Sequence, residues 1–276
     1  MAKEENDGGI RLSMRGSSYR FTHAITRTPP QSAVEGLRAE DVGDPDVSLM
    51  REHHQVYQRA LENTGATVIT LDALEQFPDS HFVEDSALCL PTVAVVLRPG
   101  APTRFGEAEA MRPHLEELYT TVLSLEGPGF IEGGDILTTD TEILVGQSAR
   151  TDSAGIAELR SAVAPYGYQV REVTTPPGVL HFKTDCSLLD DSTILSTHRL
   201  SASGCFADYT VIDVAAGEEP AANSIRFNDT VFMPAGFPIT TGRVRDAGFH
   251  VVELPNSECQ KIDGGLSCLS LRFSPA

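Results

Sequence analysis

The sequence predicts an α/β chain built as a pseudo-five-fold array of strand-and-helix units around a central axis. Three observations carry this. Short β-branched runs alternate along the chain with longer amphipathic stretches, as when strands and helices take turns. Strand–turn–strand segments recur imperfectly: GGDILTTDTEILVG from Gly133, CSLLDDSTILST from Cys186 and NSIRFNDTVFMP from Asn223 each hold an apolar run, an Asp-containing turn and a second apolar run. Segments of related character begin near Phe82 and Ile262, so the leading segments near Phe82, Phe130, His181, Ala221 and Ile262 are spaced by 48, 51, 40 and 41 residues. No such unit can bury its apolar face alone, and five of them fill the chain.

The elements follow in order. Residues 1–18 are rich in Gly, Ser and charge and read as a loose arm, with residues 19–276 as one domain. A helix is expected between Asp44 and Asn63, where Met50, His54, Tyr57 and Leu61 recur at helical spacing, Asp44–Pro45 supplies a start and Gly65 follows the end. Strands are expected at Thr67–Leu71, Thr92–Leu97, Ile136–Val145, Cys186–Ser196, Asn223–Met233 and His250–Leu254. A helix over Glu107–Tyr119 carries Met111, Leu115 and Leu118, with Pro113 expected to kink or restart it. A third helix, Thr151–Tyr166, has Ile156, Leu159 and Val163 as its apolar stripe and Thr151 or Asp152 as its cap.

Composition narrows the function. Lys and Arg number 21 against 39 Asp and Glu, a formal charge of −18 over 276 residues. Such a surface repels nucleic acid and anionic membranes, so neither is expected as a partner, and a small cation is. No apolar run spans a bilayer and the N-terminus lacks the apolar core of a secretory signal, which places the protein in the cytoplasm. Five scattered cysteines without a C-x-x-C pair argue for free thiols. Oligomeric state stays open, a homodimer included.

If the units are related by rotation, their leading segments converge at one end of the axis. That brings Glu84 and Asp85 of FVEDS, Glu132 of IEGGD, His181 of LHFK and Cys268 of DGGLSC together. A thiol facing a histidine makes an activated nucleophile, although most free cysteines are small buried hydrophobes. His181, which by itself reads equally well as a core histidine, gains weight from Glu132, able to orient the ring and hold it charged. Two metal-type ligands fall short of the usual three or four, so no metal and no other cofactor is expected. Asp79, Glu84 and Asp85 are interleaved with Phe82, Val83 and Leu88 without a Lys or Arg nearby, and buried carboxylates of this kind suit a ligand guanidinium. Arg104 and Arg150 are candidates for a carboxylate at the ligand's other end, or else ordinary surface arginines.

Seven motifs in register, HAITRTPPQSAVEGL, FPDSHFVED, IEGGD, GQSART, VLHFK, FMPAGFP and KIDGGLSCLSLRF, run from about His23 to Phe273. Together they resemble the dimethylarginine dimethylaminohydrolases of the guanidine-modifying pentein superfamily. The resemblance implies a five-bladed α/β propeller of ββαβ units around a central channel, and hydrolysis of Nω-methylated arginine to citrulline and a methylamine. It implies Cys268 as nucleophile, His181 as general acid and base, and Glu132 as its orienting partner. Asp79, Glu84 and Asp85 would hold the guanidinium, and Arg104 and Arg150 the α-carboxylate. Leu37 would belong to a lid touching substrate, and Ile262 would add a backbone contact. The rival readings are an arginine or agmatine deiminase, amidino transfer to an amine, and a non-catalytic binding module of the same fold.

Overall fold

The computed structural model describes residues 16–276; residues 1–15, most of the expected arm, lie outside the described residues. Within the described part of that arm, the amides of Gly16 and Ser18 both donate to the Asp140 carboxylate.

Five three-stranded sheets make up the architecture. Strands are numbered in chain order. Four sheets are formed by consecutive strands: β3 (Ala87–Cys89), β4 (Ala94–Val96) and β5 (Val122–Ser124); β6 (Ile136–Thr138), β7 (Ile143–Gln147) and β8 (Val170–Thr174); β9 (Cys186–Leu188), β10 (Thr193–Ser196) and β11 (Thr210–Asp213); β12 (Ile225–Phe227), β13 (Thr230–Pro234) and β14 (His250–Leu254). In each, an antiparallel hairpin is followed by a helix that crosses over to a parallel third strand. The crossover helices are Phe105–Glu116, Ser153–Val163, His198–Ser201 and Pro238–Asp246. The fifth sheet joins the two ends of the chain. There β15 (Leu271–Phe273) runs antiparallel to β1 (His23–Arg27), which pairs in parallel with β2 (Thr67–Leu71) across the helix Val47–Glu62. Ile25, for example, stands between Leu271 and Ile69. The fold is the five-bladed α/β propeller expected from the repeat.

A polar residue precedes the first strand of every blade and is buried there: Ser86, Asp135, Asp185, Ser224 and Ser270. Each fastens its leading turn. Ser86 and Ser224 donate back to Val83 and Ala221, Asp135 accepts from the Phe182 amide, Asp185 accepts from Thr197, and Ser270 shares a hydrogen bond with Tyr57. Buried polar groups need such partners, and the repeat of the device fixes five equivalent turns around one axis.

The helix Val47–Glu62 buries the anticipated Met50, His54, Tyr57 and Leu61, but its cap is Asp46, whose carboxylate accepts from the Ser48 and Leu49 amides. Asp152 caps Ser153–Val163, and Gly167, at φ 85°, turns the chain after its last 3-10 turn. Pro113 does not restart its helix, which runs unbroken from Phe105 to Glu116. Pro113 forgoes one backbone hydrogen bond near the end of the helix, and buried Met111 and Leu115 hold the helix on the β3–β5 sheet. Among the described residues no helix is long and apolar enough to cross a membrane.

Candidate active site

Leu37, Asp79, Asp85, Arg104, Arg150, His181, Ile262 and Cys268, drawn from positions up to 231 residues apart, line one small cavity together with Phe82, Leu180, Asp263 and Gly264. Three leading 3-10 turns position the reactive groups. Asp85 lies in Val83–Ser86, His181 precedes Phe182–Thr184, and Cys268 lies in Ser267–Leu269.

Glu132 sits behind His181, fully buried. Its Oε2 is 2.6 Å from His181 Nε2, while Oε1 accepts from the Gly100 and Ala101 amides and from Arg150 Nη1. Burial disfavours its charged form, but the hydrogen bond and charge of His181, with Arg104 and Arg150, hold the carboxyl below its ordinary range. The imidazole answers in kind. Burial pushes it down, yet Asp85, Asp135 and Glu132 outweigh burial and raise it to about 9. A ring charged at neutral pH, with its other nitrogen left for chemistry, can serve as a general acid. Gly134 is required under it, since a Cβ there would lie 2.9 Å from the ring and from Asp85 Oδ1, and its amide donates to that same oxygen.

Burial foremost, then Glu84 and Asp85, pushes the Cys268 thiol up to about 12. The resting sulfur is therefore protonated, and a bound cation is what favours its thiolate. The preceding loop is packed tightly: a Cβ on Gly264 would strike Phe82, and one on Gly265 would strike Asn223, whose Oδ1 accepts from the Ser267 amide. Cys268 and His181 thus face one cavity, as expected from the leading segments.

Two residues are placed differently from the sequence reading. Glu84 does not line this cavity. It points to a second cavity on the other side of the leading turns, beside Gly133, Lys183, Ser224, Ser267 and Arg272. Its carboxylate is occupied there by Lys183 Nζ and Arg272 Nη2, each at 2.6 Å, and by Ser267 Oγ at 2.8 Å. It neutralises cations of the chain itself rather than facing a ligand. Arg104 does line the cavity, but its guanidinium is spent on Asp85, Glu107 and the Phe82 carbonyl, so it balances the acids of the site instead of standing free for a carboxylate. Arg150 engages only Nη1 among the described residues and keeps donors for a ligand.

Asp79 is nearly buried, and burial lifts its carboxyl above the ordinary value against the pull of Arg104. Both its oxygens accept from the Leu37 amide, which seats the segment that follows the Gln31–Glu35 turn. Lys183, Asp135, Asn223 and Asp263 escaped the sequence reading; Lys183, Asp135 and Asp263 stand in motifs already singled out and Asn223 opens one of the repeat segments, so alignment of the five leading turns would have exposed them. Asp85, Glu132 and His181 bring one ligand atom each to within 4.8 Å of one another. Arg104 and Arg150 already neutralise those carboxylates, which disfavours a metal ion there.

No family model matches the chain. It is 38% identical over 254 residues to N(G),N(G)-dimethylarginine dimethylaminohydrolase of Pseudomonas aeruginosa, covering 92% of this chain and all of the relative. It is 31% identical to the protein of that name from Streptomyces coelicolor, over 91% of this chain and 96% of the relative. Among solved structures, a cysteine-to-serine mutant of the Pseudomonas aeruginosa enzyme complexed with citrulline superposes with a TM-score of 0.90 at 37% identity, over 92% of this chain and all of that one. The N-terminal domain of ArgZ, a cyanobacterial arginine dihydrolase, superposes at 0.80 with 18% identity, covering 92% and 98% of the two chains, a likeness of fold alone. With identity of this level sustained over nine-tenths of its length, the chain belongs to the dimethylarginine dimethylaminohydrolase family.

Proposed function

We propose that the protein hydrolyses Nω-methylated arginine to citrulline and dimethylamine or methylamine through a covalent intermediate on Cys268. The observation that carries this reading is the joint presence, in one cavity, of a thiol, an imidazole paired with a buried carboxylate behind it, the further carboxylates of Asp79, Asp85 and Asp263, and an arginine with free donors. Named relatives of the family and their complexes with citrulline and with S-methyl-L-thiocitrulline support it.

A guanidinium carbon is a poor electrophile with basic leaving groups, and a covalent intermediate divides the difficulty. Asp79 and Asp85 attract the guanidinium, Arg150 the α-carboxylate, and Leu37 with Ile262 close the sides. The bound cation favours loss of the thiol proton to solvent. The thiolate attacks the guanidinium carbon; protonated His181 gives its proton to the dimethylamino nitrogen; the C–N bond breaks and an S-alkylthiouronium cation remains. Neutral His181 then takes a proton from water, whose oxygen adds to the same carbon, and the C–S bond breaks to return the thiolate and, after proton loss, citrulline. Five free cysteines suit a reducing compartment, so we place the protein in the cytoplasm.

Product analysis with asymmetric dimethylarginine tests the reading. Equimolar citrulline and dimethylamine are expected; ammonia from unmodified arginine at higher kcat/KM would replace it with the deiminase.

A further inference from the structure

Asp263 stands one residue after Ile262 and five before Cys268, and lines the cavity without a place in the chemistry above. It is one of two described non-glycine residues with a left-handed backbone, at φ 58°. Glycine adopts that conformation at less cost, and two glycines follow immediately, so an aspartate held there retains its side chain for a purpose.

The purpose is visible across the cavity. Asp263 Oδ2 accepts from the Ala39 amide at 2.6 Å, two residues beyond the Leu37 amide that Asp79 holds. From Gly36 to Asp46 the chain has no regular element. At its near end Arg38 and the Gly36 amide reach back to the Val34 and Ala33 carbonyls of the preceding turn; Arg38 otherwise bonds within the stretch, to Gly43 and Asp44, and Lys261 to the Asp44 carbonyl and Glu258 to the Asp46 amide tie the far end. Over the cavity itself the segment therefore hangs from two carboxylates, while Val42 at its crest is 62% exposed. A Cβ on Gly36 would come within 3.1 Å of both Asp79 and Ile262, so the segment is seated closely where Asp79 holds it.

The geometry points to Asp263 as a positioning residue that latches the lid at Ala39 and couples it to the loop carrying Cys268. Asp79 is the fixed anchor. Asp263, exposed and on the nucleophile's loop, is the releasable one. The kinetic part of this inference rests on the hydrolase reading; the structural part does not.

Trypsin supplies the test, because Arg38 precedes the peptide bond whose nitrogen Asp263 holds, and its side chain is only 16% exposed in the latched state. Asp263→Gly removes the carboxylate and keeps the left-handed backbone easy; Asp263→Asn keeps an oxygen acceptor. A hydrogen bond to a charged group is worth about tenfold or more in a local opening equilibrium, which cleavage reads directly. Expected is cleavage at Arg38–Ala39 about tenfold faster in Asp263→Gly, within about threefold of wild type in Asp263→Asn, and unchanged at other arginines. With dimethylarginine, Asp263→Gly should raise KM by a larger factor than it lowers kcat. Cleavage of Asp263→Gly at the wild-type rate, equal acceleration in both variants, or acceleration at every site would overturn the latch. Fast cleavage at Arg38 in a protein that releases no citrulline would keep the latch and remove the hydrolase.

Discussion

His181 and Glu132 face each other at 2.6 Å, across the boundary between the β6–β8 and β9–β11 blades, with the carboxylate wholly buried and the imidazole nearly so. The pair takes part in setting the protonation of the site. Asp85 and Asp135 add to it, which is why the ring is charged despite its burial.

Glu132→Gln should therefore lower the imidazole from about 9, by one unit or more, and cut turnover by about 10²-fold or more. NMR titration of the His181 ring checks the first expectation and steady-state kinetics the second. In linkage terms the raised histidine adds stability that is complete below about pH 6.5 and is lost as pH rises through about 9. An unmoved ring titration in Glu132→Gln would remove the carboxylate's role.

Alkylation should single out Cys268 and depend on the charge of the reagent. A neutral haloacetamide will react slowly at pH 7, because the thiol is held up to about 12, whereas a cationic haloacetamidine brings the charge that favours the thiolate. Mass spectrometry of the modified peptide reads out both rates. Cys268→Ser should abolish labelling at that peptide and citrulline formation alike; comparable rates for the two reagents would contradict cation-promoted ionisation.

Glu84→Gln should act mainly on stability. It strands Lys183 and Arg272 in the interior, a loss of about 3–5 kcal/mol for a broken buried pair. Urea unfolding measures this. A variant that unfolds like wild type but shows a greatly raised KM would return Glu84 to the guanidinium clamp.

Arg150→Ala should raise KM for dimethylarginine far more than for an analogue lacking the α-carboxylate, since Arg150 holds the free donors. Arg104→Ala should instead lose folded protein, because Asp85 and Glu107 would be left as buried unpaired acids. Reversal of these two phenotypes would exchange the roles.

His54 and His81 are buried with ring nitrogens that have no partner among the described residues, and burial lowers them to about 4 and about 3. The unfolded chain, with histidines near 6.5, then binds more protons, so each residue makes stability fall as pH drops below about 6.5, by up to ~1.4 kcal/mol per pH unit. His54→Leu should flatten the fall between pH 7 and 5 by about 2 kcal/mol, measured by urea unfolding at both values. An unchanged slope would mean that the ring is charged in the folded state.

The order of β-branched runs, the repeat of strand–turn–strand segments and the chemistry of the residues in their leading turns were legible from spacing alone, because side-chain period and turn chemistry are local properties. They determined five blades, the convergence of Cys268, His181 and Glu132, and an acidic pocket for a cation. Which of two neighbouring acids faces the ligand was not legible. Glu84 and Asp85 are adjacent and chemically alike, but they stand in a 3-10 turn, where successive residues point about 120° apart, so one enters the cavity and the other the opposite side of the axis. Partners supplied by distant stretches of chain then fixed their tasks: Lys183 and Arg272 for Glu84, Arg104 for Asp85, and the amides of Leu37 and Ala39 for Asp79 and Asp263. Those meetings depend on how the blades close around the axis, which no local stretch of chain encodes.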